Sequence, residues 1–349
     1  MRNLLIGLLL IIVIGGGGYL GWYYFQKNAT KNLQQKSTEE TKIPFMWGVN
    51  VNPSPVRRYN LEMWRQQTDY VADLGTSWIR VLFDWHANNK FAMYDEMIAE
   101  AEARNINVFL SLESSEPVET VKNPYKDGYT VASEISKHYK GRIDYYQILN
   151  EQGGIVVKGW EYSGEKESDF DPDKYNQVRE WSKGAIAAIR ENDPDAKIVI
   201  SAHWTHVAYV QMLLKDKVDF DILGWDWYSD MKLMENKRLA DGTLLLDKLE
   251  SFGKPIILTE VNAVSTSDNK PDENEQANFI KDMANWAYKS GVIRGFFVHE
   301  LVDTAPQADT SANYYGLITF KKASDGGYVL GDLKKAFYTY KKIIASFSE

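Results

Sequence analysis

From residue 43 onward, the chain alternates short apolar runs with longer segments in which apolar residues recur every three or four positions. The short runs are almost continuously apolar, which is typical of strands that are covered on both faces. The longer segments have the periodicity of amphipathic helices. The pattern predicts eight strands: Met46–Val51, Trp78–Phe83, Val108–Leu112, Tyr145–Leu149, Ile198–Ser201, Phe220–Gly224, Ile256–Thr259 and Val292–Val298.

Several of the predicted helices have recognisable ends. Asp171 before Pro172 predicts an N-cap followed by a proline in the first turn. Asp272 with Glu275 resembles a capping box at the start of another helix. The predicted helices cover Asn60–Leu74, Phe91–Arg104, residues 172–190, residues 273–290 and Leu333–Ala345.

Eight strands that alternate with helices predict a parallel (β/α)8 barrel, a TIM barrel, over residues 43–349. An open doubly wound sheet is the alternative. It is disfavoured because no predicted strand is followed by a glycine-rich phosphate-binding loop.

The N-terminal segment has a different composition from the barrel. Leu4–Phe25 is a stretch of 22 uncharged residues, long enough to cross a hydrocarbon core of about 30 Å. It ends in aromatic residues rather than in a small-residue cleavage site, which favours an uncleaved anchor over a cleaved signal peptide. We therefore expect a transmembrane or signal-anchor helix over residues 1–26 and a flexible linker over residues 27–42. The folded domain would then lie outside the cytoplasm, anchored to the membrane, or secreted if the segment is cleaved.

Composition excludes some kinds of chemistry. With 40 basic and 48 acidic residues the net charge is −8, which disfavours a nucleic-acid partner. The chain has no cysteine, so disulfides, a cysteine nucleophile and thiolate metal sites are excluded. Phe, Trp and Tyr make up 13% of the residues, and such rings can pack in a core or stack on sugars.

Two glutamates end apolar strands of the predicted barrel. Glu151 follows the fourth strand, and Glu260 follows the apolar part of the seventh. One glutamate at a strand end is more often a solvated residue or an ion-pair partner. In a barrel, however, active sites lie at the carboxyl ends of the strands, and glycoside hydrolysis uses a pair of carboxyl groups. Two such glutamates on one rim of the barrel are harder to explain as unrelated surface residues, and they suit the chemistry of glycoside cleavage.

Asn150-Glu151 after strand four, paired with Glu260 at the end of strand seven, resembles the retaining glycoside hydrolases of clan A, in families such as 5, 39, 53 or 113. The resemblance implies hydrolysis of O-glycosidic bonds in a β-linked oligo- or polysaccharide by a two-carboxylate retaining mechanism. It makes Glu151 the acid/base and Glu260 the nucleophile. It also implies that Asn150 binds the 2-hydroxyl of the sugar that is cleaved.

The same resemblance assigns Tyr228 and Arg80 to the surroundings of the nucleophile. A phenol donor and a buried cation both favour an ionised carboxylate and so keep its pKa low. The chain departs from the clan at Gln152, where several families have proline, and at Asp226, where family 5 has histidine. After strand eight, Phe296–Glu300 offers no match for the common tryptophan. The particular family and the substrate therefore stay open.

Further candidates for substrate contact are His203, which follows strand five, and the tryptophans Trp85, Trp204 and Trp227 near strand ends. For each tryptophan, core packing is at least as compatible with the sequence as sugar stacking. His203 and His206 together lack a third metal ligand, so we expect no metal and no cofactor.

The expected partner is a carbohydrate substrate, bound by a monomeric catalytic domain. One alternative is a catalytically inactive carbohydrate-binding surface protein on the same barrel, which is disfavoured by the presence of both glutamates. Another is an unrelated barrel enzyme, such as a metal-dependent hydrolase or a lyase. Metal-dependent hydrolysis is disfavoured because the chain has only five histidines.

Overall fold

The computed structural model describes residues 45–52, 61–87, 90–264, 272–304, 314–322, 324 and 328–347. The anchor expected over residues 1–26 and the linker expected over residues 27–42 lie outside these ranges. Within them, no helix is both long enough and apolar enough to cross a membrane. The anchor therefore stays a prediction.

Eight parallel strands pair in the order of the sequence, and the eighth closes the sheet against the first. The predicted (β/α)8 barrel is thus confirmed. The strands are β1 (Met46–Val51), β2 (Trp78–Phe83), β3 (Asn107–Leu112), β4 (Tyr145–Ile148), β5 (Lys197–His203), β6 (Ile222–Tyr228), β7 (Ile256–Asn262) and β8 (Ile293–Val298).

Strands β5, β6 and β7 run two to four residues beyond their predicted ends. The prediction stopped where polar residues such as Asp226 and Glu260 interrupt the apolar runs. Backbone pairing does not depend on side-chain polarity, and the ladder between β6 and β7 continues to Tyr228 and Asn262. These extra residues carry much of the site described below.

The helices that cover the barrel are α1 (Leu61–Leu74), α2 (Lys90–Glu102), α3 (Pro124–His138), α4 (Gln152–Val156), α5 (Pro172–Asn192), α6 (Val207–Lys215), α7 (Leu245–Glu250), α8 (Glu273–Lys289) and α9 (Lys335–Phe347). Both predicted caps are confirmed, because Asp171 and Asp272 each accept two backbone N–H bonds. The prediction missed α3, α4, α6 and α7. It also missed an antiparallel pair, β9 (Ile318–Lys322) and β10 (Tyr328–Leu333).

Helices α3 and α5 pack closely and hold β4 and β5, the strands that follow them in the chain. A Cβ on Gly128 would lie 2.2 Å from the backbone oxygen of Trp181, so only glycine allows this approach. The indole of Trp181 is completely buried and donates to Asp127 over 2.7 Å. This contact holds the two helices together.

Candidate active site

The carboxyl ends of five strands bring most of the predicted site residues together. A cavity of about 350 Å³ opens there, which we call the cleft; residues lining it include Glu151, His203, Trp204, Tyr228 and Tyr315. Arg80 on β2, Asn150 after β4 and Glu260 on β7 are linked to these residues by the hydrogen bonds described next.

Glu260 is held by three donors. Arg80 donates from Nη1 to Oε1 over 2.8 Å, and Asn150 donates from Nδ2 to the same oxygen over 3.3 Å. The hydroxyl of Tyr228 donates to Oε2 over 2.7 Å. Both carboxylate oxygens therefore accept hydrogen bonds, and the side chain is 9% exposed.

The guanidinium of Arg80 also fixes the neighbouring polar groups. Its Nε donates to Gln147 over 2.9 Å, and its Nη2 donates to Asn150 Oδ1 over 2.7 Å.

Burial alone would raise the pKa of Glu260. The His299 and Arg80 side chains and the hydrogen bonds from Tyr228 and Arg80 outweigh burial and hold that pKa at about 2. Glu260 is therefore ionised at neutral pH.

His299 is a site residue that the sequence analysis missed. It follows β8, and its Nδ1 lies 3.6 Å from Glu260 Oε2. Asn50 donates from Nδ2 to the same nitrogen over 3.0 Å. The signal that could have identified His299 was its place directly after a barrel strand.

Glu151 has different surroundings. It follows a turn in which Leu149 and Glu151 itself have positive φ angles of 60° and 50°, a conformation that costs non-glycine residues on the order of 1 kcal/mol each and is common at functional sites. Its backbone N–H donates to Ser201 Oγ over 3.1 Å. The turn directs the carboxyl into the cleft, where 34% of the side chain is exposed.

No cation contacts the carboxyl of Glu151 in the part of the chain that the structure describes. Its Oε1 lies 3.6 Å from His203 Nδ1, but burial lowers the pKa of His203 to about 4, so this imidazole is neutral at neutral pH. Burial and the negative charge of Glu260 raise the pKa of Glu151 to about 7. A carboxyl with this pKa can hold a proton near neutral pH and can also release it.

Asp226, which departs from the histidine of family 5, lies close to both glutamates. One oxygen from each of Glu151, Asp226 and Glu260 lies within 4.8 Å of the other two. Among the described residues, these three carboxyls are the one group spaced as metal ligands would be. Both oxygens of Glu260 already accept hydrogen bonds, and Arg80 supplies a positive charge. The group is therefore better suited to proton transfer than to holding a metal.

The three candidate tryptophans have different positions. Trp204 lines the cleft as expected. Trp227 is completely buried, and its indole donates to the carbonyl of Lys232 over 2.7 Å, so its ring cannot stack on a sugar and this expectation is wrong. Trp85 is partly buried, and the ammonium of Lys90 lies 3.4 Å from the ring centroid, which occupies one face of the ring.

A family model described as glycosyl hydrolase family 53 matches residues 123–306, more than half of the chain. The match includes both Glu151 and Glu260. No curated protein matches the chain significantly.

Among solved structures, the chain is similar to a β-glucosidase from Thermotoga maritima in complex with deoxynojirimycin, with a TM-score of 0.64 and 14% identity. It is also similar to that β-glucosidase in complex with methoxycarbonyl-substituted glucoimidazole, with a TM-score of 0.65 and 14% identity. In both cases the match covers 86% of this chain and 97% of the other. At this identity the likeness shows the fold, and the family match adds the activity. The chain belongs to glycosyl hydrolase family 53, and it is a retaining glycoside hydrolase of clan A.

Proposed function

We propose that this enzyme hydrolyses a β-linked oligo- or polysaccharide by double displacement, with Glu260 as the nucleophile and Glu151 as the acid/base. The observation that carries the proposal is the contrast between the two carboxyls. Glu260 accepts three hydrogen bonds and has a pKa of about 2, whereas Glu151 faces the open cleft with a pKa of about 7. Their closest oxygens lie within 4.8 Å, which supports the short spacing of a retaining pair, about 5–5.5 Å.

In the first step, a carboxylate oxygen of Glu260 attacks the anomeric carbon while Glu151 donates its proton to the leaving oxygen. The products are a glycosyl ester on Glu260, a released alcohol and an ionised Glu151. In the second step, Glu151 removes a proton from water, which attacks the anomeric carbon and displaces Glu260. Both carboxyls then regain their starting protonation, and the two inversions give net retention.

Asn150 lies where it can contact the sugar. Its amide nitrogen is 3.3 Å from Glu260 Oε1, while its Oδ1 accepts from Arg80 and Gln147. The oxygen is therefore fixed, and the long Nδ2 contact leaves the amide able to donate to a sugar 2-hydroxyl beside the nucleophile. Trp204 and Tyr315 offer ring surfaces in the cleft for the faces of the sugar. His203 lies beside Glu151, which supports a contact between this imidazole and the leaving group.

The stereochemistry of the first product tests this assignment without knowledge of the natural substrate. Proton NMR of the reaction on a β-aryl glycoside should show the β anomer before mutarotation. Initial release of the α anomer would contradict the nucleophile role of Glu260. A screen of β-linked polysaccharides for released products would then define the sugar and the linkage.

We further infer that residues 1–26 anchor the enzyme in a membrane, with residues 27–42 as a tether and the catalytic domain outside the cytoplasm. The uncharged stretch Leu4–Phe25 supports this inference. Cell fractionation should find the intact chain with membranes, and protease added outside should degrade the catalytic domain. A variant that lacks residues 1–42 should be soluble, monomeric and active. Loss of folding in that variant would contradict the inference of a separate anchor.

A further inference from the structure

Asp226 lies on β6, between strand β5, which ends beside Glu151, and strand β7, which carries Glu260. In the barrel register it pairs with His203 of β5 and with Glu260 of β7. The pairing of β6 with β7 shifts at this point, because Trp225 pairs with Leu258 and the next pair is Asp226 with Glu260. Thr259 is thus the extra residue of a β-bulge, and the bulge brings Glu260 level with Asp226.

Thr259 holds one oxygen of Asp226. Its hydroxyl donates to Oδ1 over 2.6 Å. Gly224 leaves space for this side chain, since a Cβ there would lie 3.0 Å from Thr259 Oγ1. The side chain of Asp226 is therefore fixed within the barrel, and the residue is completely buried.

The other oxygen, Oδ2, is buried and meets no donor among the described residues. The charge of Arg80 acts on Asp226, but the guanidinium nitrogens donate to Gln147, Glu260 and Asn150. Asp226 instead faces carboxyl oxygens of Glu151 and Glu260 within 4.8 Å. Once Glu151 has given up its proton, two carboxyls this close are stable together only if Asp226, the buried one of the two, carries a proton.

We propose that Asp226 is a positioning residue, which stays protonated and donates a hydrogen bond to the carboxyl of Glu151. The hydrogen bond holds the orientation of Glu151 toward the leaving group. It also strengthens when Glu151 gives its proton to the leaving oxygen, because a hydrogen bond to a carboxylate is stronger than one to a neutral acid. Asp226 keeps its own proton in both steps. This inference rests on the acid/base role proposed for Glu151.

The groups around Asp226 are consistent with this protonation. Burial, followed by the charges of Glu260 and Glu151, raises the pKa of Asp226 well above its usual range. The hydrogen bond from Asp226 in turn lowers the pKa of Glu151, against the larger effect of burial. The other titratable or charged groups that face this region are Arg80 on β2, His203 on β5, Tyr228 on β6 and His299 after β8.

Two substitutions separate this role from a merely structural one. Asp226→Asn keeps a neutral hydrogen-bond donor of the same shape, whereas Asp226→Leu keeps the volume and removes the donor. With β-aryl glycosides, we expect Asp226→Asn to keep kcat within about tenfold of that of the unsubstituted enzyme. The basic limb of its pH profile of kcat/KM should stay in place. We expect Asp226→Leu to lower kcat by roughly tenfold to a hundredfold with little change in KM, because it loses a hydrogen bond to a charged group. Its basic limb should move to higher pH, because the Glu151 carboxylate loses a donor.

Two results with these variants would overturn the proposal. If Asp226 were ionised in the enzyme, Asp226→Asn would remove a negative charge and move the basic limb to lower pH by more than one unit. If both variants lost the same activity with unshifted profiles, Asp226 would only fill space.

A second measurement needs neither activity nor a folded leucine variant. Carbon-13 NMR of carboxyl-labelled enzyme without substrate should show one aspartate carboxyl that stays protonated above pH 7 and disappears in Asp226→Asn. Absence of that signal would refute the protonation of Asp226. Its presence in a protein that cleaves no glycoside would support the protonation while rejecting the proposed function.

Discussion

Glu151 and Glu260 leave strand ends on the same side of one barrel, yet their surroundings are opposite. Donors from Arg80, Asn150 and Tyr228 surround Glu260, which is 9% exposed. Glu151 is 34% exposed and faces a neutral histidine and a second carboxyl. The same residue type thus has a pKa of about 2 in one place and of about 7 in the other. The comparison shows that the donors around a carboxyl, and not its burial alone, set its pKa, and this difference supports the roles of nucleophile and acid that we propose for the two glutamates.

The backbone explains why the two environments differ. Glu260 lies within β7, where its neighbours on β2 and β6 belong to the same closed sheet and stand at fixed distances. Glu151 follows a turn with two left-handed residues, so its carboxyl projects from the sheet into the cleft. A nucleophile benefits from rigid donors, whereas a general acid must be reached by the leaving group and by water.

Removal of the proposed nucleophile should have the largest effect. Glu260→Ala should lower kcat on the order of 10⁵-fold on every substrate, since no glycosyl ester can form. Glu300→Gln is the matched control, because Glu300 is a buried glutamate that accepts from Thr304. Steady-state kinetics on an aryl β-glycoside check this. A control variant as inactive as Glu260→Ala would show that the loss reflects disturbed folding rather than lost chemistry.

Removal of the proposed acid/base should have a smaller effect that depends on the substrate. Glu151→Ala should lose roughly 10²–10⁴-fold on substrates whose leaving group needs a proton. On aryl glycosides with acidic phenols it should keep most of its first-step rate, and added azide should speed the second step and give a β-glycosyl azide. Rates with a series of phenols, with and without azide, measure this difference. Equal losses on all substrates without azide rescue would contradict the assignment.

Loss of one hydrogen-bond donor should raise the pKa of Glu260 toward that of Glu151. Tyr228→Phe should raise the pKa of Glu260 and lower kcat by roughly tenfold to a hundredfold, because a hydrogen bond to a charged carboxylate is lost. Activity falls as the pH drops through the pKa of Glu260, so the acidic limb of kcat/KM should move to higher pH. The basic limb falls as Glu151 loses its proton near pH 7 and should stay in place.

The control for this variant is Tyr340→Phe, which removes a buried hydroxyl that donates to the carbonyl of Gly48 over 2.9 Å. It should lower thermal stability without moving either limb. If Tyr228→Phe left the acidic limb unchanged, the phenol would not contribute to the low pKa of Glu260.

The smallest effect should come from the aromatic wall of the cleft beside Glu151. Trp204→Ala should raise KM by roughly fivefold while changing kcat little, because it removes a ring surface that stacks on the sugar. Trp227→Phe is the comparison, since the buried indole of Trp227 should affect stability and not KM. Measurement of KM and of thermal unfolding for both variants distinguishes a residue that contacts the sugar from one that only packs in the core. If only Trp227→Phe raised KM, Trp227 rather than Trp204 would be the residue that contacts the sugar.

The sequence by itself determined the barrel and the two catalytic candidates. Apolar runs that alternate with amphipathic segments specify covered strands and covering helices, because burial of apolar surface is a local property of composition. Glu151 and Glu260 could be identified because each ends such a run. The resemblance to clan A added Arg80 and Tyr228, and the structure places both against Glu260.

Only the tertiary structure decided what surrounds each carboxyl. The contact of His299 with Glu260 could not be predicted from its neighbours in the chain, because it joins the end of β8 to the paired strand β7. Asp226 became significant only when the bulge at Thr259 brought it level with Glu260, and a one-residue shift in strand register leaves no periodic signal. The sequence alone does not distinguish Trp227 from Trp204, but Trp227 is fully buried and Trp204 lines the cleft. Burial, register and donor geometry arise from contacts between residues far apart in sequence, so they exist only once the barrel has closed.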